Sequence, residues 1–393
     1  MRNKTIEICT VLALITGCSD NAPNRTPPVS EKTDSDNSQG NPPPSSVPTT
    51  PETATTAATP PSSSSGSTSG ANTTSTTIST TKFGGGDAVQ KVIAFLKSTT
   101  GKNTVTGQHN KEPNASPAKW TDQVQATTGH FPGLWSGDFL FADADIKNRQ
   151  VMIDQAKKQW SNGALINLMW HACPPTGAVS CNWEGGPVSH LSDADWKDLT
   201  TDGGRLNKVW KERMDAVAVY MQQLKDAGVA PMFRPFHEMN QGIFWWAGRT
   251  GSDGTAKLYE LTHDYMVKTK GLTNIVWIWD VQDISQGARS WEDIWKDYKP
   301  RADTWDVMAI DIYDGSGYSA DKYKAAQSVS NGKPIAVGEC QVLPSDSILA
   351  QQPKWTFFMG WSELTFTKNS DAEIKATYNS DHVLTRDKMP GWN

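Results

Sequence analysis

The sequence predicts an α/β protein whose globular part is a single (β/α)8 barrel, also called a TIM barrel. Short, nearly continuous apolar runs alternate along the chain with segments of helical spacing, and eight such runs occur. Strands that are apolar on both faces form a parallel sheet covered by helices, and eight strand–helix units close into a barrel. The roughly 310 residues from Phe83 to Asn393 also suit a barrel, because barrels routinely reach that size as one domain.

The eight candidate strands are rich in β-branched and aromatic residues and are bounded by turn-forming residues. They cover residues 104–109, 132–139, 164–171, 230–238, 274–280, 306–314, 334–340 and 355–361. Helical spacing is present in residues 116–129, 147–163, 206–228, 254–271 and 319–332, and several of these segments end in Gly, as helices often do.

The segment before the barrel predicts two further parts. Residues 1–18 hold two basic residues, an apolar run and the stretch ITGC, which is typical of a lipoprotein signal peptide ending at a lipidated Cys18. A short buried helix is the alternative, but residues 19–82 are rich in Ser, Thr and Pro and offer no core in which to bury it. We therefore expect residues 19–82 to be a disordered linker and residues 83–393 to be the catalytic barrel domain.

These expectations place the chain outside the cytoplasm. The apolar run is too short for an ordinary membrane span, so the membrane contact would be the lipid alone. We expect a monomer anchored at the bacterial cell surface or outer membrane, or released from it into the extracellular space.

Composition favours some partners and excludes others. The formal net charge is -5 and the sequence pI is about 5.8, so no basic surface for nucleic acid is expected. All 17 tryptophans lie at or after Trp120, which indicates that the barrel domain uses flat, amphipathic surfaces.

Three cysteines fall within the barrel domain, namely Cys173, Cys181 and Cys340. In an oxidising compartment Cys173 and Cys181 could form a disulfide that closes the loop CPPTGAVSC. Metal binding by the same pair is the alternative, but no second Cys or His pair stands nearby at ligand spacing.

Polar or aromatic residues end nearly every candidate strand, and the C-terminal ends of barrel strands form the face that carries active sites. This regular placement predicts a functional site there. The strand ends hold Gln108, His109, Asp138, Trp170, His171, His237, Glu238, Asp280, Asp311, Tyr313, Glu339 and Trp361.

Two of these residues, Glu238 and Glu339, follow runs so apolar that an isolated carboxylate would be costly there. Two carboxyls on separate strands suit glycoside hydrolysis, in which one protonates the leaving oxygen and the other attacks the anomeric carbon or activates water. The alternative is that each Glu only pairs with an arginine such as Arg234.

Several neighbours are candidates for contact with a sugar. His237 and Asn240 are close enough to Glu238 to orient it or to touch the substrate, although either could be purely structural. Flat aromatic faces bind the apolar faces of sugar rings, although aromatics more often belong to the core. The aromatic candidates are Trp170, Trp245, Trp246 and Trp361.

Motifs of competing chemistries are missing from the sequence. HEMNQ lacks the second His of the zinc motif H-E-x-x-H, and no G-x-S-x-G elbow, P-loop or dinucleotide-binding G-x-G-x-x-G follows a strand. The sequence therefore requires neither a metal nor an organic cofactor.

At these residues the sequence resembles glycoside hydrolase family 26, whose best-known members are endo-β-1,4-mannanases. The resemblance rests on RPFHEMNQGIFWWAGR, LMWHACPP, DIYD and AVGEC, and it covers essentially everything after the linker. It implies a retaining double displacement with Glu238 as acid/base and Glu339 as nucleophile. It also implies that Tyr313 lies beside the nucleophile and that His171, Trp246 and Trp361 line the sugar subsite next to the cleaved bond.

One region departs from the family's general motif, namely the gap from Cys173 to Cys181 and the following loop NWEGGPVSHLSD. Loops at this face decide which sugars fit. The sequence thus predicts an endo-β-1,4-mannanase acting on β-mannan, with a β-1,3-xylanase or mixed-linkage β-glucanase of the same family as alternatives. A surface glycan-binding protein without turnover is a further hypothesis, against which the presence of both carboxylates argues.

Overall fold

The computed structural model describes residues 86–111 and 113–392. The predicted signal peptide, the lipidation of Cys18 and the linker lie outside the described residues. Among the described helices, none combines the length and the apolar character needed to cross a membrane.

Eight parallel strands close into a barrel, which confirms the predicted fold. Each strand pairs with its neighbour in chain order, and β1 closes the barrel by pairing with both β2 and β8. Seven of the eight predicted runs contain a whole strand, and β5 extends two residues beyond the run predicted over 274–280. The strands are β1 Thr104–His109, β2 Leu134–Asp138, β3 Leu165–Trp170, β4 Met232–Pro235, β5 Val276–Gln282, β6 Val307–Ile312, β7 Ile335–Cys340 and β8 Trp355–Gly360, and the two-residue β9 Val383–Leu384 adds to β1.

Helices follow the strands and cover the outside of the barrel. Each of the five segments with helical spacing contains a helix, and the segment from 254 to 271 ends in the π-helical turn Tyr265–Thr269. The α-helices are α1 Asp87–Thr99, α2 Lys119–Thr128, α3 Asp143–Lys147, α4 Arg149–Ser161, α5 Asp193–Thr200, α6 Arg205–Asp226, α7 Thr255–Asp264, α8 Trp291–Lys296, α9 Ala320–Val329, α10 Asp346–Gln351, α11 Leu364–Thr367 and α12 Asp371–Tyr378, and a 3-10 turn spans Arg386–Lys388.

The alternation of side chains along β3 shows how the barrel divides its residues. Asn167 points inwards, where its amide lies 2.9 Å from the Ser136 hydroxyl. Met169 also points inwards, and its sulfur lies 2.9 Å from a guanidinium nitrogen of Arg234. Trp170 points outwards and stacks on Trp210 of α6, with ring centroids 5.0 Å apart. Successive strand residues face opposite sides, so residue parity decides which side chains can reach the interior.

Gly107 of β1 allows close approach of the neighbouring strand β8. A Cβ atom there would lie 2.5 Å from the carbonyl oxygen of Phe358 and 3.3 Å from Cα of Met359. Backbone atoms within a closed barrel cannot shift as freely as a side chain, so the barrel requires glycine at this position.

We expect Gly107→Ala to lower the free energy of unfolding by roughly 1–3 kcal/mol, as other overpacking substitutions do. Urea unfolding followed by circular dichroism measures the change. Gly315→Ala is the matched control, because nothing lies within 4 Å of the added methyl group. Equal stabilities of the two variants would contradict the steric argument.

Candidate active site

Arg234 of β4 lies at the centre of a group of buried carboxyls inside the barrel mouth. Its Nη1 donates to both carboxylate oxygens of Asp311, at 3.0 and 2.8 Å, and lies 3.1 Å from Oδ2 of Asp280. Its Nη2 donates to Oε1 of Glu339. Arg234 is 1% exposed, so these contacts replace water around its charge. Glu339 therefore does pair with Arg234, which the sequence offered as a purely structural alternative. The same contact also places Glu339 within the group of buried carboxyls.

Asp280 lies in β5 and Asp311 in β6, and the two form a carboxyl pair over Gly338. A Cβ atom on Gly338 would lie 2.5 Å from one oxygen of each aspartate, so the pair requires glycine below it. Burial, opposed by Arg234, raises the pKa of Asp280 to about 6. Burial also raises the pKa of Asp311 well above its usual range, again opposed by Arg234 and assisted by Asp280. Burial therefore opposes two negative charges on the pair, and Arg234 favours them.

Glu339 of β7 has both carboxylate oxygens occupied by donors. Arg234 donates to Oε1, and the hydroxyl of Tyr313 donates to Oε2 at 2.6 Å. Burial, and then the charge of Glu339, raise the pKa of Tyr313 well above its usual range, so the phenol stays a donor. A carboxylate held by two donors from fixed elements has a defined orientation, as a nucleophile needs.

Glu238 follows β4 in an unusual backbone conformation. Its φ is 54°, in the left-handed region, which costs a non-glycine residue about 1–3 kcal/mol. The conformation persists because its backbone N–H donates to Oδ1 of Asp280 at 2.8 Å. Burial, and then the charges of Glu339 and Asp280, raise the pKa of Glu238 well above its usual range. The surroundings of Glu238 thus favour its protonated form, as a general acid needs.

Two amides next to Glu238 have different roles. The side chain of Gln241 donates to Oε2 of Glu238. Asn240 instead binds the backbone of Gln282, donating to its carbonyl at 2.8 Å and accepting from its N–H at 2.6 Å. Both functional atoms of Asn240 are therefore used to join the β4 loop to β5, and Gln241 is the amide that touches the acid.

His171 and His237 meet edge to face at the mouth, with ring centroids 4.5 Å apart. Asp138 holds His171 from behind, since one oxygen lies 2.5 Å from Nδ1 and the other accepts the backbone N–H at 3.0 Å. Burial favours a higher pKa for Asp138, but contacts with His171 and neighbouring donors lower it to about 2. Burial, and then His171 and Arg234, hold the pKa of His237 well below its usual range, so His237 is neutral.

Trp361 follows β8 and stacks on His109, with centroids 4.3 Å apart and planes within 16°. Its indole also meets His171 edge-on at 6.2 Å. Burial lowers the pKa of His109 to about 3, so this stacked partner is an uncharged ring. Trp361 therefore lies beside the rings of His109 and His171 at the barrel mouth.

Three of the candidate tryptophans, Trp170, Trp245 and Trp246, are buried and have no ring face open to a substrate. Trp170 points to the helix layer, where it lines a cavity of about 230 Å³ together with Leu140 and Arg213. Trp245 is 1% exposed, meets Trp210 edge-on at 5.5 Å and donates to the Ala172 carbonyl at 2.7 Å. The expectation that Trp170 and Trp245 bind sugar is thus corrected, because strand parity and burial assign both to the core.

Trp246 lies one layer behind the mouth. It is 0% exposed and stacks on Phe244 at 4.5 Å, and its indole N–H donates to the carbonyl of His237 at 2.9 Å. The residue therefore supports the backbone that carries His237 and Glu238. We expected Trp246 to line a sugar subsite, but the structure shows it supporting the backbone of His237 from behind.

Trp183 lies next to His171 with part of its ring exposed, unlike the buried tryptophans. The sequence analysis did not select this residue. It is half-buried and lies 5.6 Å from His171 and 5.7 Å from Phe244, measured between ring centroids. Cys173 and Cys181 form a disulfide with Cα atoms 6.0 Å apart, two residues before Trp183. The signal in the sequence was a tryptophan just after a candidate disulfide in the loop that departs from the family motif.

Arg213 of α6 provides a second attachment for the disulfide loop. It donates to the carbonyls of Cys173, Gly177 and Ala178, at 2.6, 2.6 and 2.9 Å. Val188 further along the chain forms an antiparallel bridge with Phe244. These contacts fix the loop on which Trp183 reaches the mouth.

The acidic residues could also be considered as metal ligands. One carboxylate oxygen from each of Glu238, Asp311 and Glu339 lies within 4.8 Å of the others. Arg234 already donates to two of these three residues, and its fixed positive charge opposes a cation at the same place. The donor set therefore suits carboxyl chemistry better than metal binding.

Comparison with known proteins agrees with this geometry. The sequence profile of glycosyl hydrolase family 26 matches residues 85–388. A structure of GH26A from Muricauda sp. MAR_2010_75 is 31% identical, covers 77% of this chain and 98% of its own, and superposes with a TM-score of 0.73. A β-mannanase from a protist symbiont of the termite Reticulitermes speratus, complexed with gluco-manno-oligosaccharide, is 27% identical, covers 81% of this chain and 98% of its own, and has a TM-score of 0.69.

Curated relatives carry the name mannan endo-1,4-beta-mannosidase. The protein from Thermothelomyces thermophilus is 28% identical over 313 residues, which cover 76% of this chain and 60% of the relative. That from Bacillus subtilis strain 168 is 26% identical over 297 residues, covering 69% of this chain and 76% of the relative. This chain thus spans less than two thirds of the length of the Thermothelomyces thermophilus relative.

We expect Arg234→Met to lower the free energy of unfolding by roughly 3–5 kcal/mol at pH 8, because it leaves buried carboxylates without their counter-charge. The loss should be smaller at pH 5. Asp280 and Asp311 have raised pKa values in the folded state, so they take up protons before the unfolded chain does, and stability rises as pH falls. Urea unfolding at both pH values measures the difference.

Arg149→Met is the matched control for this prediction. Arg149 is also buried, but it donates to the backbone carbonyls of Phe139 and Leu140, at 2.6 and 2.8 Å. The charges of Asp138 and Asp145 also act on Arg149, but its hydrogen bonds go to backbone carbonyls, so its loss should depend less on pH than the loss of Arg234. A loss at Arg234 that is equal at pH 5 and pH 8 would contradict the assignment of the carboxyl charges.

Proposed function

Because this chain belongs to glycosyl hydrolase family 26, we propose that it is a retaining endo-β-1,4-mannanase that cleaves internal bonds of mannan-type polysaccharides. The observation that carries the proposal is the pair Glu238 and Glu339. Their nearest carboxylate oxygens lie within 4.8 Å. Burial raises the pKa of Glu238 well above its usual range, while Arg234 and Tyr313 donate to the two oxygens of Glu339. A separation this short suits double displacement, since inverting enzymes need room for a water between two carboxyls about 6.5–9.5 Å apart.

In the first step, Glu339 attacks the anomeric carbon while Glu238 gives its proton to the leaving glycosidic oxygen. The products are a covalent glycosyl-enzyme and a shortened polysaccharide with a free hydroxyl. In the second step, ionised Glu238 takes a proton from water, and the water oxygen displaces Glu339 from the anomeric carbon. Glu238 is thereby protonated again and both carboxyls return to their starting states.

The protein supports each step through residues already described. Arg234 and Tyr313 hold Glu339 in one orientation. Asp280 keeps the strained backbone of Glu238 in place. Trp183 and Trp361 both lie against His171, with ring centroids 5.6 and 6.2 Å from it. These three side chains supply the hydrogen-bonding and flat apolar contacts that a neutral sugar needs.

Mannan is proposed as the substrate because the curated relatives carry that activity in their names and a structural relative binds a gluco-manno-oligosaccharide. The test is chromatography of products after incubation of residues 83–393 with linear mannan, β-1,3-xylan and mixed-linkage β-glucan in parallel. Manno-oligosaccharides of mixed length are expected. Release from another backbone instead would replace the substrate, and mannose alone would replace internal with terminal cleavage.

We expect Glu238→Gln to lower kcat on mannan by about 10²–10⁴-fold, because general acid catalysis contributes that much with a poor leaving group. Wild-type activity should fall as pH rises through the raised pKa of Glu238, since the acid loses its proton, and this alkaline fall should vanish in the variant. Aryl β-mannosides with good leaving groups should still form the glycosyl-enzyme. Initial rates between pH 4 and pH 9 provide the measurement.

The matched control is Glu260→Gln, which removes a carboxyl that pairs with Arg301 on the outside at 3.1 Å. Its pH profile and kcat should equal those of the wild type. Retention of more than a tenth of the wild-type rate on mannan by Glu238→Gln would remove Glu238 from the role of acid.

A further inference from the structure

Lys322 of α9 is a fully buried lysine near the active site that the proposed reaction does not use. Its ammonium group has three donors, and each has an acceptor. They are Oδ2 of Asp283 at 2.7 Å, Oδ1 of Asp314 at 2.5 Å and the carbonyl of Gly317 at 2.9 Å. Lys322 is 0% exposed, so the charge is balanced within the protein and not by water.

Asp283 contacts both the ammonium of Lys322 and the backbone of the loop that follows β6. It is 1% exposed and stands directly after β5. Its Oδ1 accepts the backbone N–H groups of Tyr313 and Asp314, at 3.0 and 3.2 Å. One buried carboxylate therefore connects the ammonium of Lys322 with the backbone of Tyr313 and joins the C-terminal ends of β5 and β6.

Tyr313 is the residue whose hydroxyl donates to Oε2 of Glu339 at 2.6 Å. A hydrogen bond of this length fails when its donor moves by about 1 Å, and misplacement on that scale can cost a catalytic group up to about 10²-fold in rate. The position of the Tyr313 backbone therefore controls one of the two donors that orient the nucleophile. Arg234 fixes the other oxygen independently.

We propose that Lys322 and Asp283 are positioning residues for catalysis, which act through the backbone of Tyr313 to orient Glu339. This inference rests on the proposed function, because it assigns Glu339 as the nucleophile. Neither residue contacts the nucleophile directly in the described structure. The alternative is that the buried pair only stabilises the loop and has no effect on the rate of the folded enzyme.

A double-mutant cycle between Lys322→Met and Tyr313→Phe separates these possibilities, because only coupled residues give non-additive effects. We expect Lys322→Met alone to lower kcat on mannan roughly tenfold while KM changes less than about threefold. In the Tyr313→Phe background, where the hydroxyl is already missing, the same substitution should lower kcat less than about threefold. An unchanged kcat in the single variant, or equal losses in both backgrounds, would overturn the proposal.

A second readout is the rate at which 2-deoxy-2-fluoro-β-mannosyl fluoride labels Glu339, followed by intact mass. This rate reports attack by the nucleophile without cleavage of a polysaccharide. Labelling should slow in Lys322→Met and be insensitive to that substitution when Tyr313 is Phe. If the wild type is labelled but cleaves no polysaccharide, the substrate assignment fails while the cycle still tests the positioning. Failure of the wild type to be labelled would overturn both.

Lys333→Met is the matched control for loss of a partly buried ammonium. Lys333 lies just before β7, at the end of the barrel opposite to the active site, and donates to the carbonyl of Ala302 at 2.5 Å. It should lower stability without changing kcat or labelling. If Lys322→Met does not fold, Lys322→Gln enters the same cycle, because its amide keeps two donors and leaves a milder defect. Equal losses for Gln in both backgrounds would again overturn the proposal.

Discussion

The guanidinium of Arg234 sets the charge balance on which the rest of the barrel mouth depends. Four buried carboxyls, those of Glu238, Asp280, Asp311 and Glu339, lie around or near it, and one positive charge cannot balance four negative ones in so little water. Burial therefore raises the pKa values of Glu238, Asp280 and Asp311. Arg234 binds Glu339 directly, whereas burial and the charges of Glu339 and Asp280 favour a proton on Glu238.

Geometry around this charge centre is maintained by residues one layer further out. Asp280 holds the left-handed backbone at Glu238, Asp138 holds the ring of His171, and Trp246 holds the carbonyl of His237. Each of these partners is buried and uses a hydrogen bond that has no competitor from solvent. The strain at Glu238 is therefore tolerated because its surroundings determine the conformation more strongly than its own backbone preference.

The aromatic residues illustrate why a tryptophan count alone cannot define a sugar-binding site. Met169 faces the barrel interior, so Trp170, the next residue, faces the helices. His171 follows Trp170 and lies at the barrel mouth. Trp183 reaches the same mouth from a loop that a disulfide and Arg213 tie to the barrel. Whether an aromatic ring can face a substrate therefore depends on which side of its strand it points to, or on the contacts that hold its loop to the barrel.

The chain's local patterns were enough to predict the barrel, its eight strands and the strand ends that carry Glu238, Glu339, His171 and Tyr313, because period, apolar runs and turn residues are local properties of the chain. The family resemblance added the roles of the two glutamates. Contacts between distant segments bury Trp245 and Trp246, make Asn240 join the β4 loop to β5 and bring Trp183 next to His171. They also raise the pKa values of Glu238 and Asp311. Burial and charge pairing arise from residues distant in the chain, and spacing along the sequence holds no record of those distances.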